Sequence, residues 1–165
     1  MKNMTKAELL QLLNKYKKLS FHDSLTLVYN RRKLKQDLKE YVTNIKRYSF
    51  KYSIALIDID KFKYINDSKG HKFGDKVLRL TARTIKKNVR VNDRVYRVGG
   101  DEFVIVFKYT KKENADKVIL DRISNLLLER NISISFGLVE LNQNTENTLE
   151  LVDYYMYRNK NEKKQ

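Results

Sequence analysis

The chain has 165 residues and a formal net charge of +15, from 35 Lys and Arg against 20 Asp and Glu. Hydrophobic residues make up 41% of it, enough for one core, and charged residues 33%, so the surface is very polar. With no cysteine it can build neither a disulfide nor a thiolate metal centre, and no apolar run approaches the ~20 residues needed to span a bilayer. No signal-peptide pattern opens the chain, and a cytoplasmic location is expected. The positive field suits polyanions, but a lysine-rich solvated surface accounts for it equally well. Without an aromatic-basic recognition motif, nucleic acid is an unlikely partner.

The first predicted element is a helix over 5–19, with Leu9, Leu12, Leu13, Tyr16 and Leu19 spaced by three and four. Thr5 and Glu8 have capping-box spacing at its start. A second helix, 31–47, turns Leu34, Leu38, Tyr41, Val42 and Ile45 inward. Residues 52–60 read as a central strand, apolar on both faces with acidic residues only at its carboxyl end. Gly70 and Gly74 break the chain before a helix over 75–89 that buries Val77, Leu78, Thr81 and Ile85. A β-hairpin follows, with arms 94–98 and 103–107. Gly99 and Gly100 lie between them and tolerate the positive φ angles of a tight turn. A helix over 113–129 buries Ala115, Val118, Ile119, Ile123, Leu126 and Leu127. A strand over 132–141 and a helix over 148–160 complete the order.

After the two leading helices this is β-α-β-β-α-β plus a helix. The expected class is α+β: a ferredoxin-like split βαβ arrangement, like that of nucleotide-polymerising palms and nucleotidyl cyclases. One antiparallel sheet carries packed helices on one face, with a leading N-terminal helix. Many unrelated proteins share that plan, so it does not name a function.

Two acidic pairs stand out. Asp58 and Asp60 close the first strand, and Asp101 and Glu102 follow the hairpin turn. Neighbouring strands bring both to one edge of the sheet. Carboxylates that converge raise one another's pKa unless a cation neutralises them. Oxygen donors without cysteine suit Mg²⁺ or Mn²⁺. Two such ions, about 4 Å apart, would activate a 3′ hydroxyl and steady a leaving pyrophosphate. Solvated turn carboxylates are the plainer alternative.

The segment 97–103, Arg-Val-Gly-Gly-Asp-Glu-Phe, carries the signature of the GGDEF family of diguanylate cyclases. Asp23-Ser24-Leu25-Thr26 with Tyr29-Asn30-Arg31-Arg32 resembles that family's opening segment. Asp58-Ile59-Asp60-Lys61-Phe62-Lys63, Ile65-Asn66-Asp67, Gly70-His71 and Gly74-Asp75 follow in the family's order. The resemblance covers roughly 20–164. It implies two domains of the chain: 1–20, a helix like a signalling stalk, and 21–165, the catalytic domain.

The resemblance implies roles for individual positions. Asp58, the Ile59 carbonyl and Asp101 would hold metal. Glu102 would add a metal contact or take the proton of the attacking hydroxyl. Gly99 and Gly100 would let the backbone approach the nucleotide. Asn66 and Asp75 would read the guanine edge, although a turn residue and a helix N-cap are their plainer readings. Lys63, with the backbone N–H groups of Lys61 and Phe62, would bind phosphate oxygens, as would Lys160. The family's later arginine falls on Lys164 and its preceding glycine on Lys163, which weakens this end of the pattern. Leu27 stands where the family usually has glycine. It either crowds the turn beside the guanine pocket or repacks. Arg90 and Asp93 have the spacing of the family's inhibitory product site, against the alternative of a surface ion pair.

The implied function is condensation of two GTP into cyclic di-GMP by a homodimer, each half-site holding one GTP. The alternatives are a module that binds GTP or cyclic di-GMP with little turnover, and a cyclase making a different cyclic oligonucleotide.

Overall fold

A computed structural model describes residues 5–108 and 113–163. The first helix, α1 (Lys6–Phe21), starts at the capping box: the Thr5 N–H donates to Glu8 Oε2 at 2.7 Å and the Glu8 N–H to Thr5 Oγ1 at 3.3 Å. Of its stripe, Leu9 and Tyr16 are 58% and 62% exposed and Leu12 is exposed too; the side chains of Leu13 and Leu19 lie outside those described. A two-residue strand, β1 (Tyr29–Asn30), leads into α2 (Arg31–Tyr48), where Asn30 caps the helix by accepting from the Lys33 N–H at 3.1 Å. Leu34, Leu38 and Tyr41 are buried as expected, and Val42 is half-buried.

The central strand β2 (Tyr52–Ile59) is followed by an unanticipated helix, α3 (Phe62–Lys69). Gly70, at φ 80, is the joint to α4 (His71–Asn88), which starts four residues before the predicted 75. Gly74 therefore lies inside a helix, and Asp75 is not an N-cap. Val77, Leu78, Thr81 and Ile85 are buried.

The hairpin strands are β3 (Arg94–Arg97) and β4 (Glu102–Lys108). Neither Gly99 nor Gly100 has positive φ, contrary to expectation. Next come α5 (Glu113–Leu128), β5 (Ile134–Glu140) and α6 (Thr145–Glu162). In α5, Ile119, Leu120, Ile123 and Leu127 face the core, but Val118 is 64% exposed. Leu120 and the buried Asp116 take the inward positions instead, and Leu126 is half-buried.

The strand order is β1-β3-β4-β2-β5. The last four have the ferredoxin-like order, all antiparallel. β1 adds a parallel neighbour to β3, so the sheet is mixed rather than purely antiparallel.

Helices cover both faces, not one. Ala55, Ile57 and Ile59 of β2 pack with Val77, Ile85, Leu120 and Ile123 of α4 and α5. Tyr52 and Ile54 face the other way, in a second cluster with Leu34, Tyr41 and Val152 of α2 and α6. Two apolar faces on one strand explain its unbroken hydrophobic run.

β5 is an edge strand, and α6 lies against it at Gly137. The Phe136 N–H donates to Asn159 Oδ1 at 3.1 Å, and the Lys163 ammonium donates to the Ile134 carbonyl. A Cβ at Gly137 would stand 2.1 Å from the Val152 carbonyl oxygen and 2.6 Å from the Met156 nitrogen. Both are backbone atoms of a helix and cannot yield alone. Gly137→Ala should therefore cost about 1–3 kcal/mol of stability, read as a lower urea midpoint.

Candidate active site

Two acidic residues face each other because of the β2–β4 register. Asp58 and Glu102 are direct partners across the ladder, and such partners lie about 5 Å apart at Cα. One residue on, the Ile59 N–H donates to the Asp101 carbonyl at 3.3 Å. The carboxyl end of the central strand and the start of β4 thus place Asp58, Ile59, Asp101 and Glu102 together.

Asp60 stands beside this group with both its oxygens already bonded. Its Oδ2 accepts from Ser133 Oγ at 2.5 Å and its Oδ1 from Ser135 Oγ at 2.7 Å, which ties the end of β2 to β5. The sequence alone paired Asp60 with Asp58, because nothing in it shows that two serines more than 70 residues away satisfy both oxygens.

Glu102 folds its carboxylate over Gly99, where a Cβ would come within 2.2 Å of Oε2. Gly99 therefore makes room for Glu102. A Cβ on Gly100 would meet nothing within 4 Å.

Burial lifts the Glu102 carboxyl above its ordinary range. The charges of Asp101, Asp58 and Asp153 push the same way, against Arg31. Burial also raises Asp58. A bond and the positive charge from Lys160 oppose that rise, and Asp101 and Asp60 reinforce it. Lys160 Nζ donates to Asp58 Oδ1 at 2.5 Å. Burial alone would lower its pKa, but contact with Asp58 outweighs that and raises it.

Among the described residues no three acidic or imidazole side chains stand close enough to share an ion as they are. The donors nevertheless fit a hard divalent cation: three carboxylates at adjoining strand ends, two of them raised by burial and then by their neighbours' charge.

Lys61 has φ 56 at the start of α3, and no side chain caps that helix, so the N–H groups of its first turn are not claimed by a side-chain cap. Lys63 is exposed in that turn. Asn66 packs its Oδ1 against Gly74, where a Cβ would come within 1.9 Å. The absent side chain at 74 thus seats Asn66 between α3 and α4. Asp75 is half-exposed, 3.7 Å from Arg79. Lys164 lies outside the described residues.

Sequence reasoning missed a brace on the hairpin turn. Arg97 donates to the Gly100 carbonyl through Nη2 at 2.7 Å and to Asp23 Oδ1 through Nη1 at 3.0 Å. The same Asp23 oxygen accepts from the N–H and hydroxyl of Thr26 at 2.8 and 2.6 Å. Arg97 and Asp23 were both visible in the motifs, but their pairing was not. Arg31 and Asp153, which act on Glu102 through charge, were missed for the same reason. Leu27 adopts φ 62 with its side chain 65% exposed, so this turn asks for a left-handed residue.

Arg90 and Asp93 do not form a side-chain ion pair. Buried Asp93 accepts from the Arg90 N–H at 2.9 Å and the Lys108 N–H at 3.1 Å. The Arg90 guanidinium instead lies 3.5 Å from Asp116. A pocket of about 390 Å³ beside it is lined by Leu27, Tyr29, Arg90, Asp93 and Arg94 among others.

Comparisons with known proteins bear on this arrangement. The family profile described as "Diguanylate cyclase, GGDEF domain" matches residues 20–165. Diguanylate cyclase DosC of Escherichia coli K12 is 45% identical over 84 residues, 51% of this chain and 18% of that protein. Diguanylate cyclase DgcM of the same strain is 34% identical over 148 residues, 86% of this chain and 36% of that protein. The chain thus spans about a third or less of these relatives' lengths. The crystal structure of the coiled coil and GGDEF domain of DgcB from Caulobacter crescentus, in complex with c-di-GMP, superposes with a TM-score of 0.87. It covers 93% of this chain and 87% of that one, and at 24% identity it bears on the fold alone.

The brace has a measurable signature. Burial opposes ionisation of Asp23, yet the bonds from Thr26 and Arg97 prevail and hold its carboxyl below the usual range. Its contribution to stability is then complete above the unfolded value of 3.8 and is lost as pH falls through the lower folded value. Asp23→Asn should cost about 1 kcal/mol at neutral pH. In urea melts that deficit should shrink below pH 3.8.

Proposed function

Because this chain belongs to the GGDEF family of diguanylate cyclases, we propose that it condenses two GTP molecules into cyclic di-GMP and two pyrophosphates. The observation that carries this reading is the opposition of Asp58 and Glu102 across the β2–β4 ladder, with Asp101 next to Glu102.

Asp58, the Ile59 carbonyl, Asp101 and Glu102 would hold Mg²⁺ or Mn²⁺. The chemistry supplied by such a cation is neutralisation of the charge on the phosphoryl and pyrophosphate oxygens. Glu102 would add a contact to the cation or take the proton of the 3′ hydroxyl. The N–H groups of Lys61 and Phe62, with the ammonium groups of Lys63, Lys160 and Lys164, bind the triphosphate. Gly99 and Gly100 keep the turn low against the nucleotide. Asn66 and Asp75 accept from guanine, whose N1–H and exocyclic amine distinguish it from adenine.

One chain supplies one half-site. Two must face each other so that each 3′ hydroxyl reaches the other molecule's α-phosphate, and the catalytic gain is alignment plus charge neutralisation. The exposed Leu9, Leu12 and Tyr16 on α1 suit pairing with a second copy. Among the described residues no helix is long and apolar enough to cross a membrane.

With GTP and Mg²⁺ or Mn²⁺, the chain should yield a cyclic dinucleotide at a rate that rises more than linearly with protein concentration. Asp101→Ala and Glu102→Ala should each reduce turnover by about a thousandfold or more with an unchanged circular dichroism spectrum. Full activity in either would remove the site. The placement of Lys160 on Asp58 is the observation that favours a nucleotide-binding module without turnover. Tight GTP binding with no product would select that reading.

Arg90 and Asp93 would bind product phosphate and guanine at an inhibitory site. Arg90→Ala should abolish inhibition by added cyclic di-GMP in the same assay, leaving the uninhibited rate in place.

A further inference from the structure

We infer that Lys160 is an internal counter-ion: it competes with a divalent cation for Asp58 and passes to the triphosphate when that cation binds, so that cation and nucleotide bind cooperatively. This rests on the reading of Asp58 as a cation ligand.

The contact is specific. Lys160 lies 102 positions from Asp58, and its ammonium reaches Oδ1 at 2.5 Å with the two side chains only 29% and 12% exposed. The carboxylate it grips sits among others, since Asp101 and Asp60 also act on the ammonium. One positive charge offsets only part of that cluster, and a divalent ion offsets more. An ammonium on Asp58 Oδ1 weakens that carboxylate as a ligand for a second cation, because two positive charges held by one carboxylate repel each other. The occupants therefore compete.

The backbone of Lys160 is fixed while its ammonium can move. Asn159, the preceding residue, holds the Phe136 N–H at 3.1 Å, and α6 is seated on Gly137. From that anchor a flexible four-carbon stem swings. Beside it lies a pocket of about 300 Å³ lined by Lys61, Tyr64, Ser133 and Lys163 as well as Asp60 and Lys160. Once displaced, the ammonium finds there room and a region rich in lysine, where an anion is the natural companion. A triphosphate arriving with the cation supplies that anion. Each ligand then removes an obstacle to the other, which makes the coupling reciprocal.

The test is Mn²⁺ binding to the full chain without nucleotide, followed by electron paramagnetic resonance of the free ion and repeated with a non-hydrolysable GTP analogue. Lys160→Met keeps the stem and removes the charge. It should bind Mn²⁺ roughly three- to tenfold more tightly than the parent without nucleotide. The analogue should then enhance Mn²⁺ affinity less in the variant than in the parent. Lys163→Met removes a neighbouring charge that does not touch Asp58 and should change Mn²⁺ affinity far less. Unchanged or weaker Mn²⁺ binding by folded Lys160→Met would overturn the inference, as would an equal gain in Lys163→Met or an undiminished enhancement by the analogue. Asp58→Asn separates the two levels. If it binds Mn²⁺ like the parent, the assignment of the cation to Asp58 fails, whatever Lys160 does.

Discussion

The antiparallel ladder between β2 and β4 is the constraint on which the site depends. It sets Asp58 opposite Glu102 and the Ile59 N–H on the Asp101 carbonyl. Side chains alternate along a strand, so a slip of one residue would send Asp58 to the opposite face and Ile57 or Ile59 into its place. That slip is prevented by the apolar content of β2. Ala55, Ile57 and Ile59 are matched to α4 and α5, while Tyr52 and Ile54 are matched to α2 and α6. The core thus fixes the position of the charges, and burial near that core makes those charges costly enough to seek a counter-ion.

Around this ladder the chemistry-bearing groups are held by parts far away in sequence. Arg97 joins the Gly100 carbonyl to Asp23, so the opening segment stiffens the turn that presents Asp101 and Glu102. Gly74 on α4 leaves the space that Asn66 of α3 fills, and Ser133 and Ser135, at the start of β5, hold both oxygens of Asp60. A glycine or serine in such a place does no chemistry itself. It decides where a reactive group can stand.

The sequence carried a good deal of this. Periodicity found the long helices, apolar runs found the strands, and the spacing of the acidic motifs found the strand ends that meet. It did not reveal α3, whose eight residues offer too few turns for a periodic signal. It placed the start of α4 too late because Gly74 looked like a breaker, whereas the glycine serves a close contact within the helix. It put helices on one face of the sheet, because the topology that suggested a ferredoxin-like order leaves α2 and α6 unassigned to a side. Within the site, Asp58, Asp101 and Glu102 were legible from their motifs. The partners of Lys160, Asp60 and Arg97 were not, since long-range pairing leaves no mark on local spacing. Leu27 shows the converse: its departure from glycine was legible, but only the backbone angle reveals what is asked of that position.

The last helix does two jobs within one turn. Lys160 reaches into the acidic centre, while Asn159 and Lys163 occupy a donor and an acceptor on the free side of β5. An open strand border is a template on which other chains can stack, and bonding its polar groups to side chains blunts it. The segment that reaches the acidic centre is therefore also a guard against self-templated aggregation. Loosening its final turn would link loss of the Lys160–Asp58 contact to loss of solubility, and the two would be hard to separate by inspecting yield alone.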